Sequence, residues 1–370
     1  MHFLRFIIVI ALLCSYLSCS DDDPGSLDNG EETISENFPA FSFITEQPEG
    51  IVQFVFDEST QVGNLVNLSE VDGISPVIAR TYVADNVVGL YVQDVVWLKN
   101  LETGSVVMGQ NMFSQTDEIF SNWAVNTDDT VYIGFHMGIA FDDFNIFAQN
   151  IVADVQEGFA VGNIGQSFMP TFGTNHLAFH NNIGSGSSSL STLGLINTQD
   201  NTNVAFPVIL PGDFVTGVIF GQENDLYVFS TEGRFHRYTL TTLSLIETTP
   251  TDFRTFLSGR EQLRDNEVYY IQEGASVNVD RLPAIYDLTA NENILVDLSI
   301  PFQQIQEERL YETLQTTDMQ YSFTEEAWIV GYRFTTTTST GGGVFKVDRS
   351  GTILSEIQLD VAPDTLVLFE

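Results

Sequence analysis

Val344-Phe345-Lys346-Val347-Asp348 runs into Arg349-Ser350-Gly351-Thr352 and out again through Ile353-Leu354. An apolar segment, a polar turn closed by Gly and a second apolar segment are the marks of a β-hairpin. The arrangement recurs six more times upstream. Phe54-Val55-Phe56-Asp57 turns before Val62, and Val96-Trp97-Leu98-Lys99-Asn100 turns through Glu102-Thr103-Gly104 into Val106-Val107. Asn145-Ile146-Phe147 leads to Ile151-Val152, and Leu193-Gly194-Leu195-Ile196-Asn197 turns before Val204. Phe235-His236-Arg237-Tyr238 turns at Thr241-Thr242, and Ala284-Ile285-Tyr286-Asp287 turns before Ile294-Leu295-Val296.

Most copies lie roughly 40–50 residues apart, the spacing of a four-stranded propeller blade. Each of the last six hairpins follows a more apolar strand, such as Val131-Tyr132-Ile133, Leu226-Tyr227-Val228-Phe229 or Val268-Tyr269-Tyr270-Ile271. A strand apolar on both faces is buried on both faces, as an inner blade strand is between neighbouring blades. The first repeat lacks such a strand, while Thr365-Leu366-Val367-Leu368-Phe369 has no hairpin of its own. Ring closure, with the last strand completing the first blade, accounts for both and removes exposed sheet edges. The expected fold is all-β, a seven-bladed β-propeller closed by the C-terminal strand, with six or eight blades as alternatives. The turn Asn100-Leu101-Glu102-Thr103-Gly104 resembles the quinoprotein-like propeller repeat. The spacing is WD40-like, but no copy carries the Trp-Asp dipeptide of that family or a sialidase-type Asp box. These resemblances imply the fold alone.

Arg5 precedes the apolar run Phe6-Ile7-Ile8-Val9-Ile10-Ala11-Leu12-Leu13, and Tyr16-Leu17-Ser18-Cys19 follows it. This order reads as a secretory signal. The run is shorter than the roughly 20 apolar residues that span a bilayer. Ser18 before Cys19, followed by Ser20-Asp21-Asp22-Asp23, resembles the lipobox and surface-export signal of Bacteroidota lipoproteins. The resemblance implies lipidation of Cys19 and attachment to the outer membrane, exposed at the cell surface. Residues 20–37 carry seven acidic and no basic residues, so they read as an extended, self-repelling tether. The expected organisation is a signal peptide over 1–18, a lipidated acidic tether over 19–37 and a propeller over 38–370.

Cys14 and Cys19 are the two cysteines, which leaves the propeller no disulfide, thiolate metal site or cysteine nucleophile. A net charge of -37, from 13 basic and 50 acidic residues, removes the positive footprint that nucleic acid or anionic lipid headgroups need. The acidity reads as a solubilising surface, with a cationic or Ca²⁺-bridged partner as the alternative.

Connections alternate between the two faces of a propeller. The long ones (109–118, 136–143, 181–189, 273–281, 299–318 and 335–343) all fall on one face. Long loops on a rigid scaffold are where binding resides. The candidate binding residues there are His136, Asp142, Asp143, Arg281 and Arg333. Asp142-Asp143 could contribute to Ca²⁺ binding, though two carboxylates fall short of its six to eight oxygens. His176 and His180 flank Leu177-Ala178-Phe179 in a strand, about 13 Å apart, and are not expected to chelate a metal. The three tryptophans, Trp97, Trp123 and Trp328, read as core residues, with a sugar-stacking platform as the alternative. Residues 301–317 read as an amphipathic helix with Pro301 at its first turn and Ile305, Leu310, Tyr311 and Leu314 as its apolar stripe.

There is no HExxH, GxSxG, P-loop or EF-hand pattern. The expected function is a non-enzymatic binding or scaffold module on the cell surface. Its partner would be an outer-membrane protein complex or an extracellular polymer. The alternative is a hydrolase or lyase acting on an extracellular glycan or lactone, with His136, Asp142 and Arg281 as acid–base candidates. No cofactor is expected.

Overall fold

In a computed structural model, residues 37–369 are described except 79, 85, 93–94, 111–118, 138–142, 164–165, 168–169, 184–189, 212–213, 223 and 275–279. The signal, Cys19, the tether and Asp142 therefore lie outside the described residues. The strands form seven antiparallel sheets in a ring, a seven-bladed β-propeller. Six sheets have four strands in simple meander order, and the fourth blade has its inner edge split into Gln166–Ser167 and Thr171–Gly173.

All seven hairpins found in the sequence form the two outer strands of a blade. Their turns share one construction. The residue ending the first strand caps the turn through its side chain. Asp57, Asn100, Asn150, Asn197, Asp287 and Asp348 each accept a backbone N–H from within it, and Thr239 accepts from Ser244. Every such turn also has one residue at positive φ: Gln61, Gly104, Asp154, Asn201, Leu243, Asn291 and Gly351. Asn, Asp and Gly tolerate that region, and a short polar side chain closes the loop on itself, so the pattern Asx-to-left-handed residue is a local instruction to turn. In the third blade this moves the outgoing strand to Val155–Asn163, later than Ile151-Val152, because Ile151 lies in the turn.

The ring closes as expected. Thr365–Leu368 pairs with Phe41–Gln47 and becomes the innermost strand of the first blade. Its free edge meets the seventh blade, where the register of Thr313–Ser322 shifts between Thr316 and Met319. Asp318, in that irregularity, accepts the Leu366 N–H at 2.8 Å, and Gln320 accepts the Leu368 N–H at 3.2 Å. Side chains two residues apart thus replace a backbone ladder.

Second strands such as Val87–Val92 and Asp225–Ser230 are nearly continuous in their burial, while that of the sixth blade, Glu267–Glu273, is buried only over its middle. Aromatic rings fill the gaps between blades. Tyr269 lies 4.2 Å from Tyr321 across the sixth and seventh blades, and Phe38, Phe41, Phe54 and Phe56 form a stack in the first. Burying one such ring contributes about 2–3 kcal/mol. Trp97, Trp123 and Trp328 are all buried, in agreement with the core reading.

Two segments differ from expectation. The helix spans Ser299–Glu308, not 301–317. Leu310 takes a positive φ just beyond it and is exposed, so the chain reverses there. Tyr311 stacks on Phe334, and Leu314 belongs to Thr313–Ser322; the residue that buries the helix is Phe302, against Phe345. The segment 335–343 is not a long loop. Thr340–Val347 is already strand, leaving four residues, 336–339, in the turn. Three consecutive glycines suggest a loop, yet here Gly341 lies beneath the Phe334 ring and Gly343 beneath Tyr332, positions with no room for a Cβ.

The same close approach occurs in the third blade, where a Cβ on Gly134 would fall 2.2 Å from the Trp123 ring. Gly134→Ala is expected to lower stability by about 1–3 kcal/mol through overpacking. A fall in the urea midpoint at constant slope would show it; an unchanged midpoint would place Trp123 elsewhere.

Candidate functional site

Within each blade the first-to-second and third-to-fourth strand turns lie on one face, and the other connections lie opposite. On the first face the outer turns are uniformly short: 58–61, 101–105, 151–154, 198–201, 240–244, 288–291 and 348–352. The opposite face carries 68–79, 251–261 and 296–312 between blades, each with a shape of its own. The large apolar side chains that solvent reaches most concentrate on this second face. Leu310 is 82% exposed, Val71 70%, Val77 69%, Ile300 66% and Phe256 60%; among the described residues the one of comparable exposure elsewhere is Val152, at 68%.

Of the sequence-predicted residues, His136, Asp143, Arg281 and Arg333 sit on strand ends toward that face without forming one cluster, and Asp142 lies outside the described residues. His136 is buried in Thr130–Met137, its ring 5.1 Å from Phe144. Asp143 starts the neighbouring strand, opposite Met137, so these two share the end of the third blade. Arg281 is three blades away, donating to the Thr317 carbonyl while its own carbonyl accepts from Thr316 at 2.7 Å. Arg333 pairs with Asp364 at 2.7 Å, and Asp364 in turn accepts from Thr45 at 2.8 Å. Both arginines thus tie the seventh blade to a neighbour. His176 and His180 share a strand, as expected. Burial pushes the His180 imidazole down to about 3.

A cavity of about 450 Å³ occupies the axial channel. Tyr82, Phe172, Tyr321, Trp328 and Leu368 line it, all from the channel half nearer the short turns. From above, the segment 258–261 enters the channel. Arg260 donates to Asp318 and, at 2.6 Å, to the Leu366 carbonyl. Glu261 folds back on its own segment, accepting the Ser258 N–H at 2.6 Å, the Ser258 hydroxyl at 2.8 Å and the Gly259 N–H at 2.8 Å. Arg260 and Asp318 thus engage one another, while Glu261 is held by neutral donors of its own segment. Burial, reinforced at Tyr269 by the Glu267 carboxylate, holds the Tyr269, Tyr270 and Tyr321 hydroxyls above the usual phenol range, so they stay neutral. Sequence reasoning missed this site. Its one signal was Arg260 and Glu261 beside a glycine, in a chain with few cations.

No protein-family model matches the chain, and a search of curated proteins finds no match. Solved structures resemble it weakly. A computationally designed protein, Ika8, aligns over 89% of this chain and 90% of its own, with 13% identity and a TM-score of 0.45. The dihydro-heme d1 dehydrogenase NirN in complex with DHE aligns over 88% and 75%, with 12% identity and a TM-score of 0.49. A chain of the mitotic checkpoint complex aligns over 77% and 82%, with 10% identity and a TM-score of 0.43.

Asp318→Asn is expected to cost about 3 kcal/mol, since it leaves Arg260 without its counter-charge in a mostly buried site. Thermal unfolding would register the loss; an unchanged midpoint would mean that the pair contributes nothing to closure. His180 gives a pH signature. Its native pKa lies below the unfolded value near 6.5, so the unfolded chain takes up a proton that the native state refuses, and stability is lost as pH falls from about 6.5 toward 3. In urea titrations at pH 7, 5.5 and 4.5, His180→Leu should lose less stability than the parent. Parallel losses would refute the assignment.

Proposed function

We propose that the chain is a surface-exposed outer-membrane lipoprotein whose propeller is a non-enzymatic binding or scaffold module. The partner is a subunit of an outer-membrane complex or an extracellular polymer, held on the long-connection face. The observation that carries this reading is the set of exposed apolar side chains on the connections between blades. Val71, Val77, Phe256, Ile300 and Leu310 come from three separate connections of one face. The left-handed turn at Leu310 ends the helix, but an apolar side chain held in water there adds nothing to the core. Exposed apolar groups rimmed by polar residues mark interaction surfaces.

The enzyme alternative requires His136, Asp142 and Arg281 to converge. Among the described residues, His136 packs against Phe144 and Arg281 serves the contact between two blades, which favours binding over catalysis. The anchoring part of the proposal rests on Cys19 and on the acidic run behind it.

The test is a pull-down from gently solubilised outer membranes, with Cys19→Ala and a Val71→Ser/Phe256→Ser/Leu310→Ser triple variant beside the parent. The parent should bring down one stoichiometric partner. Cys19→Ala should leave the membrane fraction, and the triple variant should stay anchored yet lose the partner. Undiminished capture by the triple variant would move the interface off this face.

A further inference from the structure

We infer that the outer edge of the first blade is a docking site, which takes an extended segment of a partner protein as a fifth strand. The segment has a neutral, alternating centre and basic residues at both ends. The site lies on the rim of the ring, apart from the long-connection face, and does not depend on the partner proposed there.

The first observation is an unguarded edge. A closed ring still leaves each blade the outer side of its last strand, where every second residue directs its N–H and C=O away from its neighbour. Proteins blunt such edges by shortness, bulges, proline or charge. The outer strands of the other six blades all carry one of these guards. Val106–Gly109 and Glu292–Leu295 have four residues each. Val155–Asn163, Thr202–Pro211, Leu245–Pro250 and Ile353–Leu359 are each interrupted by a register shift, and contain Glu157, Pro207, Glu247 and Glu356 in turn. Val62–Asn67, in the first blade, has no guard. It pairs with Gly50–Asp57 through all six residues without a shift, and Val62-Gly63-Asn64-Leu65-Val66-Asn67 has no charge and no proline. No described strand pairs with its outer side. Val62 and Leu65 are exposed, and the edge is flat at Gly63, where a Cβ would strike the Phe54 ring.

The second observation is charge, which selects the occupant. Residues 38–79 make up this blade's own three strands and the connection leaving it, and they contain no basic residue. Asp57 and Glu58 stand exposed where the edge strand starts, and Glu49 and Glu70 are exposed at the end where it finishes. A neutral strand between acidic ends is complemented by a neutral strand between basic ends. The same carboxylates oppose the other two occupants. An antiparallel second copy would set Asp57 and Glu58 against Glu49 and Glu70, and the chain's own residues 20–36 would bring further carboxylates. In strand addition the main-chain bonds supply affinity, and the alternating side chains and flanking charges supply selection.

The probe is a labelled synthetic peptide of alternating valine and threonine with a pair of lysines at each end, read on the full chain by fluorescence anisotropy and amide hydrogen exchange. It should bind at submillimolar concentration. Every second amide of Val62–Asn67 should exchange freely in the unbound chain and slow when the peptide binds, while those of Leu245–Pro250 stay unchanged. A peptide with glutamates in place of the lysines should bind at least about tenfold more weakly. A lysine-ended peptide N-methylated through its centre keeps its side chains and charges but loses its donors, and should not bind. Leu65→Lys sets a guarding charge on the edge at an exposed position and should weaken binding about tenfold; Leu245→Lys, on the outer strand of the fifth blade, should leave it unchanged. Val62→Lys provides a second variant if Leu65→Lys lowers the melting temperature. The inference is overturned if the glutamate-ended or N-methylated peptide binds as well as the first, if the slowed amides lie elsewhere, or if folded Leu65→Lys and Val62→Lys bind as the parent does. It is equally overturned if the outward amides are already slow in the dilute, unbound chain, which would make its own N-terminal segment the occupant. Slowing that grows with protein concentration, together with dimers in sedimentation, would make the occupant a second copy and overturn it too.

Discussion

One buried carboxylate holds the ring shut. Asp318 accepts the backbone of Leu366 and the guanidinium of Arg260, while Arg260 reaches the Leu366 carbonyl. The closing strand is therefore gripped on both edges, by a regular ladder to the first blade and by side chains of the sixth and seventh. Without the second grip, the buried Leu366 N–H and its carbonyl would lose these protein partners, and an unpaired buried backbone group costs more than a hydrogen bond contributes. The cavity geometry follows from the same contact, because Arg260 can reach Asp318 only by carrying the segment 258–261 into the channel.

The scarcity of cations gives the charge pattern a structural meaning. With 13 basic residues against 50 acidic ones, a basic side chain has many available partners. Four of them link segments outside their own hairpin: Lys99 to Asp72, Arg309 to Glu356, Arg333 to Asp364 and Arg349 to Glu267. The two lysines, Lys99 and Lys346, are both buried beside a carboxylate. Exposed pairs such as Arg333–Asp364 contribute little, whereas the part-buried Lys99–Asp72 pair fastens the connection between the first two blades to the second. The acidic excess remains on the surface, where it opposes self-association.

The blades were legible in the sequence because their signals are local. A period of two, a capping Asx and a left-handed residue at the turn lie within about ten residues, and hydrophobic alternation survives without knowledge of the partner strand. Ring closure was legible for a different reason, since an orphan strand at one end matched a vacancy at the other. What stayed hidden depends on contacts between blades. Nothing near Asp318 signals Arg260, 58 residues away. Gly341, Gly342 and Gly343 misled because their role is steric, set by the Phe334 and Tyr332 rings, by backbone carbonyls of the neighbouring strands and by Ala362. The helix was drawn too long because Tyr311 and Leu314 continue its spacing, although Leu310 breaks the backbone between them. The candidate site suffered most, because an axial cavity gathers residues from nearly the whole chain.

The closing strand also sets a schedule. Thr45 meets Asp364 across 319 positions of sequence, so the first blade made is the last to be finished. Until residues 365–368 emerge, Phe41–Gln47 presents an open strand edge and a cluster of unburied phenylalanines. Such long-range pairing is slow to form, and its waiting intermediates adhere to one another. A chain of this design has to be chaperoned or kept dilute until its last strand is in place. A stop a few residues early would leave a sticky fragment with every blade but one complete.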